Sequence, residues 1–415
     1  MRSCAVRFIA FIAALLAGTA ATAADFETPV VLSASRVLPA DLVRGPNFKV
    51  DEKVTNDGFL NVYTINSSLG TVQATSTMTL RKYIGEIEAA ARMSELRGSE
   101  EFAAGIKEKA GQVVEGAKGL VTDPAGTLSG AASGVGKLFS RAGENMFGGS
   151  RSQAEESRME DLLGYSKAKR DYAYEFGVDA YSRNPVLQKE LDEISRAGFM
   201  GNLTASAALM MVPGGAGVAV SATGGTQLMN NVFRDAAPAD LRIRNRDALK
   251  KMGVAQDVSD LFIANSWYTP REQTLLVEAL ASMQGTKGRD QFIKLAVLTE
   301  DPDLTAFRQR QAQMYAGYHA SVEPVSAFVP IGQFAAARTT SGKVVFALPV
   351  DYLLWTQGFA AAASSITNEV SLMKGVKDRE LWVSGTLSPK AKESIGKMGW
   401  KVSEKAEVLL KGALL

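Results

Sequence analysis

The side chains that most often do chemistry near neutral pH are scarce in this sequence, and the scarcity sets its limits. It holds one histidine, His319, and one cysteine, Cys4. Structural zinc, iron–sulfur clusters, blue copper and thiol nucleophiles all require ligands that the chain does not offer. Oxygen-ligand metals such as calcium or magnesium remain open, but no D-x-[DN]-x-[DN]-G loop is present to hold them. No cofactor is implied.

His319 ends the run Gln313-Met314-Tyr315-Ala316-Gly317-Tyr318-His319, a helical stretch. As a general base it would need a serine, and no G-x-S-x-G elbow supplies one. It reads as a partly buried structural histidine beside Tyr315 and Tyr318. No catalytic residue is assigned, and His319 is the only candidate. Ser-x-x-Lys occurs at Ser166–Lys169, Ser371–Lys374 and Ser394–Lys397, and three matches without companion motifs mark the pattern as cheap. Paired carboxylates could cleave glycosides, but 44 Asp and Glu residues carry no geometry in sequence. Ala131 to Lys137 nearly forms a phosphate-binding loop, yet Leu138 stands where Ser or Thr would hold Mg²⁺. Gly215-Ala216-Gly217 lacks the third glycine of a dinucleotide fingerprint. Nucleotide binding is not expected.

Two stretches of small residues could make contacts instead of reactions. Gly126, Gly130 and Gly134 recur every fourth residue, as do Gly217, Ser221 and Gly225. On a helix such a row opens a groove for a neighbouring helix or a lipid surface. The second row lies in Ala197–Phe233, an uncharged span of 37 residues broken by Pro213-Gly214-Gly215. It reads as a Gly/Ala-rich helical hairpin, each arm long enough for a helix. Such a hairpin is either buried in the body or able to enter a bilayer. Residues 101–147 read as two weakly amphipathic helices of the kind that also lie on lipid.

The elements that must position these residues fall into regions of different texture. Met1 to Ala23 has the form of a cleavable secretory signal. Arg2 and Arg7 precede the apolar run Phe8–Gly18, and Ala21-Thr22-Ala23 offers cleavage before Ala24, with Asp25 the next choice. Cys4 sits in the charged region, not where a lipoprotein would need it. Without Arg2 and Arg7 the chain carries as many basic as acidic residues, which argues against nucleic-acid binding.

Residues 24–77 read as a small β-meander, with strands at Phe48–Val50, Phe59–Ile65 and Thr71–Thr77 and turns at Asn56-Asp57-Gly58 and Ser67–Gly70. Residues 78–320 read as a helical body. Leu80, Ile84, Ile87 and Ala91 make an apolar stripe, helices begin at Asn184-Pro185 and Pro238, and Thr269-Pro270-Arg271-Glu272 is a capping box. Residues 321–415 return to mixed structure. A hairpin spans Phe334–Leu348, a helix is read over Tyr352–Thr367, and a β-α-β ending runs from Leu381 through Ser388-Pro389 to Trp400–Val402.

The fold expected is therefore α+β and predominantly α-helical: an N-terminal meander, a central bundle around the hairpin, and a C-terminal mixed module. The function expected is that of an exported, non-enzymatic interaction or scaffold protein of a bacterial-type cell envelope, periplasmic or secreted, with a protein or lipid-surface partner. The alternatives are a membrane-inserting or lipid-binding protein using 197–233 and 101–147, and a hydrolase whose site is not visible in sequence.

Overall fold

The computed structural model describes residues 26–108, 153–211, 227–332 and 334–406. The segment read as a secretory signal, both rows of small residues and the greater part of 101–147 lie outside these. Helix makes up 55% and strand 18% of the structure, so the fold is α+β and mostly helical. It divides into two compact units, Met1–Glu88 with Tyr181–Asn184 and Ala222–Leu415, and Ala89–Ala180 with Pro185–Ser221.

In the first unit the N-terminal sheet contains β1 (Val31–Ser33), β2 (Lys49–Val50), β3 (Lys53–Asn56), β4 (Asn61–Ser67) and β5 (Gly70–Thr75). The run β3-β4-β5 is an antiparallel meander with Val62 opposite both Thr55 and Thr75. Buried and half-exposed residues alternate along β4, as a sheet with one covered face requires. The expected meander omitted β1 and β3, which are only three and four residues long.

Helix α1 (Thr77–Arg97) follows, and its stripe Leu80, Ile84, Ile87 and Ala91 is buried. In the second unit, α2 (Gln153–Glu175), α3 (Pro185–Met200) and α4 (Ala205–Leu209) enclose a cluster of Met93, Leu96, Phe102, Tyr172, Leu191 and Ile194. The first arm of the expected hairpin is not one helix. α3 stops at Met200, Asn202 takes a left-handed backbone (φ 51°), and Thr204 caps a new single turn. Thr204 Oγ1 accepts the Ala207 amide, so a local cap outcompetes helix continuation here. Leu203, Ala205 and Ala208 are buried, whereas Met200 and Met210 are exposed. Residues 212–226, the break and most of the second arm, lie outside the described residues.

The first unit resumes with α5 (Gln227–Asp235), α6 (Pro238–Lys251), α7 (Gln256–Ala264), α8 (Pro270–Ser282), α9 (Arg289–Val297) and α10 (Pro302–Ser321). The Thr269–Glu272 capping box at the start of α8 is formed. The second sheet has the order β12-β10-β8-β7-β6, from β6 (Val325–Ile331), β7 (Phe334–Thr339), β8 (Lys343–Leu348), β10 (Asp378–Val383) and β12 (Lys401–Ser403). Its hairpin half is antiparallel and its β8-β10-β12 half parallel. Strand alternation sends Val345 and Ala347 toward α9 and α10, while Val344 and Phe346 face α11 (Gln357–Leu372) and α12 (Pro389–Lys397).

The helix expected from Tyr352 begins five residues later. Tyr352–Leu353 is a short strand, β9, paired with β11 (Thr386–Leu387), and Thr356 caps α11 by accepting the Phe359 amide. The cause is long-range. Backbone amides of Asp351, Tyr352 and Leu354 donate to Phe59 O and Gly58 O, which holds the segment extended. The strand expected over Leu381–Leu387 is likewise split into β10 and β11, with Gly385 between them.

Gly385 meets the Asp351 backbone closely. A Cβ there would lie 2.0 Å from Asp351 O and 2.7 Å from Val350 O, against main chain that cannot swing aside. Gly385→Ala should therefore cost about 3 kcal/mol, read as a lower urea midpoint at unchanged slope. A midpoint equal to wild type would contradict this close approach.

Candidate functional site

Helices α10 and α11, the second sheet, and the N-terminal meander with the turn before β4 wall a cavity of about 520 Å³ in the first unit. On α10, the residues facing it are Leu304, Phe307, Arg308 and Gln311, spaced i, i+3, i+4, i+7 along one helical face. On α11 they are Phe359, Ala362 and Ile366, again one face. The second sheet contributes Phe334, Phe346 and Leu348, and the meander contributes Phe59, Leu60 and Val62. Phe59 meets Phe359 edge-on with centroids 5.8 Å apart, and Phe334 meets Phe346 at 6.2 Å, geometries that aromatic quadrupoles favour.

The Asn56–Leu60 turn is fixed by its own side chains. Asn56 Oδ1 accepts the Gly58 amide at 2.7 Å, and Asp57 Oδ1 accepts the amides of Phe59 and Leu60 at 2.9 and 2.8 Å. These bonds turn Phe59 and Leu60 into the wall. The sequence marked Asn56-Asp57-Gly58 as a turn; its role as a wall depends on residues some 300 positions away.

Carboxylates gather at the N-terminal end of α10. Asp301 caps the helix, its Oδ1 accepting the amides of Asp303 and Leu304 at 2.8 and 3.1 Å. Asp303 Oδ2 accepts the Thr75 hydroxyl at 3.0 Å. Burial pushes the Asp57 carboxyl up, and the Asp303 charge adds to the effect. Among the described residues no group of three or more His, Cys, Asp or Glu lies where it could hold a metal ion.

Farther along the same face stands Arg308, about 7.5 Å beyond Asp303 at the helical rise. Its side chain is 4% exposed. Nη1 donates to Gln311 Oε1 at 2.9 Å, Nε has no partner, and no carboxylate pairs with it among the described residues. Gln311 in turn donates to Ala347 O at 2.9 Å. Burial lowers the Arg308 pKa, but a guanidinium starts so high that it stays charged. No sequence motif flagged this residue. The signal available was a charged residue on the same helical face as the apolar Leu304 and Phe307.

His319 lies elsewhere, near the C-terminal end of α10, and is not among the cavity residues. Its Nδ1 accepts the Val325 amide at 3.1 Å, where the chain enters β6. Tyr315 and Tyr318 are buried beside it in sequence and donate to Ala335 O and Glu380 respectively. The Ser-x-x-Lys pairs are engaged with other groups: Lys169 with Gln188 and Asp192, Ser371 with Thr367 O, Lys397 with Glu393. Gly126, Gly130, Gly134, Gly217, Ser221 and Gly225 lie outside the described residues, as do both near-miss phosphate loops. Among the described residues no helix is long and apolar enough to cross a membrane.

Against protein-family models, curated proteins and solved structures alike, the chain has no significant match.

Burial lowers the His319 pKa below its ordinary 6.5. On acidification the unfolded chain takes up this proton first, so the contribution to stability is full above about pH 6.5 and falls as pH drops toward the folded value. His319 is the only histidine, so His319→Asn, which keeps an acceptor for Val325, removes that component. Denaturation midpoints between about pH 5 and 7.5 should decline more steeply for wild type than for the variant. Parallel curves would show that His319 is solvated and its bond to Val325 unimportant.

Proposed function

We propose that this chain is an exported, non-enzymatic binding protein of the cell envelope that holds an elongated, largely apolar small molecule in the cavity beside α10. The observation that carries this reading is the cavity wall: about 520 Å³ enclosed mainly by Phe, Leu, Ile and Val side chains from separate parts of the chain. Binding sites for small molecules are commonly of this volume, apolar over most of the wall, with a few polar groups that fix orientation. Export rests on the signal-like N-terminus. An interaction or scaffold role toward a protein or lipid surface is compatible with ligand carriage and is part of the same proposal.

One observation favours a second reading, that of a hydrolase, because Asp57, Asp301 and Asp303 line one cavity. Their known bonds weigh against it. Asp57 and Asp301 each spend one oxygen on two backbone amides, and Asp303 spends one on Thr75. These are structural duties that a proton-transferring carboxylate would have to interrupt.

The test is occlusion. Ala362 is half-buried on the α11 wall, so Ala362→Trp fills the cavity without removing any buried group. A neutral environment-sensitive fluorophore such as N-phenyl-1-naphthylamine should bind the wild type, and the variant should bind it at least tenfold more weakly while keeping its far-ultraviolet spectrum. Equal binding by both would remove the cavity from the account. Turnover of nitrophenyl esters or glycosides that is lost in Asp303→Asn would decide for the hydrolase.

A further inference from the structure

Among the polar groups lining the cavity, Arg308 stands apart. The carboxylates at the mouth of α10 all have donors within the fold: two amides for Asp57, two for Asp301, the Thr75 hydroxyl for Asp303. The cation has only the neutral oxygen of Gln311, and its Nε points at no acceptor. Arg310, two residues on and facing another way, shows the contrast: it donates to Ser76 and Thr79 hydroxyls at 2.7 and 3.1 Å.

A permanent charge enclosed in low dielectric is expensive when nothing offsets it. Arg308 is 4% exposed and Gln311 2%, so water compensates little. The planar guanidinium is suited to a carboxylate, which takes two parallel donors at once. Gln311 locks the fork in place through its own bond to Ala347 O. The Tyr268 and Tyr315 hydroxyls act on its charge, and the cavity wall shared with Arg308 includes apolar Leu304 one turn back along α10, the adjacent Phe307, Phe346 from β8 and Phe359 from α11.

We infer that the cavity selects a single-chain amphipathic carboxylate, its head group on the free edge of Arg308 and its hydrocarbon chain along the Phe and Leu wall. This rests on the binding reading above and narrows it to one ligand class. The acids at the N-terminal end of α10 sharpen the selection, because they repel an anion from that end and leave Arg308 as the one favourable position for its charge.

The experiment displaces N-phenyl-1-naphthylamine from the full mature chain with dodecanoate, dodecanol and dodecylamine, three probes of one chain length and different charge. Wild type should prefer dodecanoate to dodecanol by at least tenfold and reject dodecylamine. In Arg308→Met that preference should vanish while dodecanol still displaces the fluorophore. If wild type binds the fluorophore but ranks dodecanol or dodecylamine with or above dodecanoate, the anion inference is overturned and the apolar cavity stands. If wild type binds neither fluorophore nor any competitor, both fail. Should Arg308→Met not fold, the wild-type ranking still decides, and Arg308→Lys must keep a reduced preference for the carboxylate.

Discussion

The first unit depends on one carboxylate. Asp351 Oδ2 accepts the Asn61 amide at 2.9 Å, and the same side chain accepts the Thr77 amide at 3.0 Å, while its own amide donates to Phe59 O. Three decisions follow from this. The turn before β4 is held against the segment after β8, α1 receives an acceptor at its first residue, and Tyr352 is kept out of the helix that its sequence suggests. A negative group at a helix N-terminus is favourable, and bonds to a charged acceptor are stronger than neutral ones. Burial nevertheless pushes the Asp351 carboxyl up. The donors therefore oppose a desolvation cost, and the position is constrained from both sides. Gly385 makes the approach possible by leaving room where any side chain would meet the Asp351 backbone.

α10 carries the second constraint. It is enclosed over most of its length, so its polar residues must find partners inside. Thr305 donates to Pro302 O, Gln309 to Gln313, and Gln311 to Ala347 O. Such bonds add little net stability individually, about 1 kcal/mol, but leaving one unmade costs more. Arg308 breaks this pattern, and it does so where the cavity is. A residue that violates the rule of satisfied burial within an otherwise consistent helix is where function is to be sought first.

What the sequence made legible was local. The capping box at Thr269–Glu272, the Ser388-Pro389 start of α12, the Phe334–Leu348 hairpin and the stripe on α1 all follow from neighbours within a few residues. The α+β, mostly helical class followed from these. What stayed hidden was set at long range. β9 exists because Phe59 and Gly58 present carbonyls to it, and the cavity exists because the meander, α10, β8 and α11 converge. The break at Asn202 was missed for a different reason. An uncharged Ala-rich run suits a helix, and the single polar cap at Thr204 was enough to end one turn and start another. Of the site, only the turn Asn56-Asp57-Gly58 was marked in advance, and for its shape alone. Arg308 was legible in principle, as a charge on an apolar helical face, but arginines often reach solvent from such positions by their long stems, and sequence does not say which one fails to.

With a single cysteine no disulfide can form within the chain, and carboxylates take over the task of joining distant segments. Glu27 accepts the Trp355 amide at 2.6 Å and the Ser388 hydroxyl at 2.5 Å. Glu380 accepts from Tyr318 and Trp382 and pairs with Lys343. Glu404 accepts the Leu387 amide and pairs with Lys392. Apart from the exposed Lys392, the donors are main-chain or at least partly buried, where solvent screening is reduced. A covalent staple acts mainly on the unfolded chain. These clamps act only once the segments have met, so they reward the native register and no other. That difference matters for a cavity whose walls come from separate places along the chain: Phe59, Phe346 and Phe359 line it together only once those segments have met.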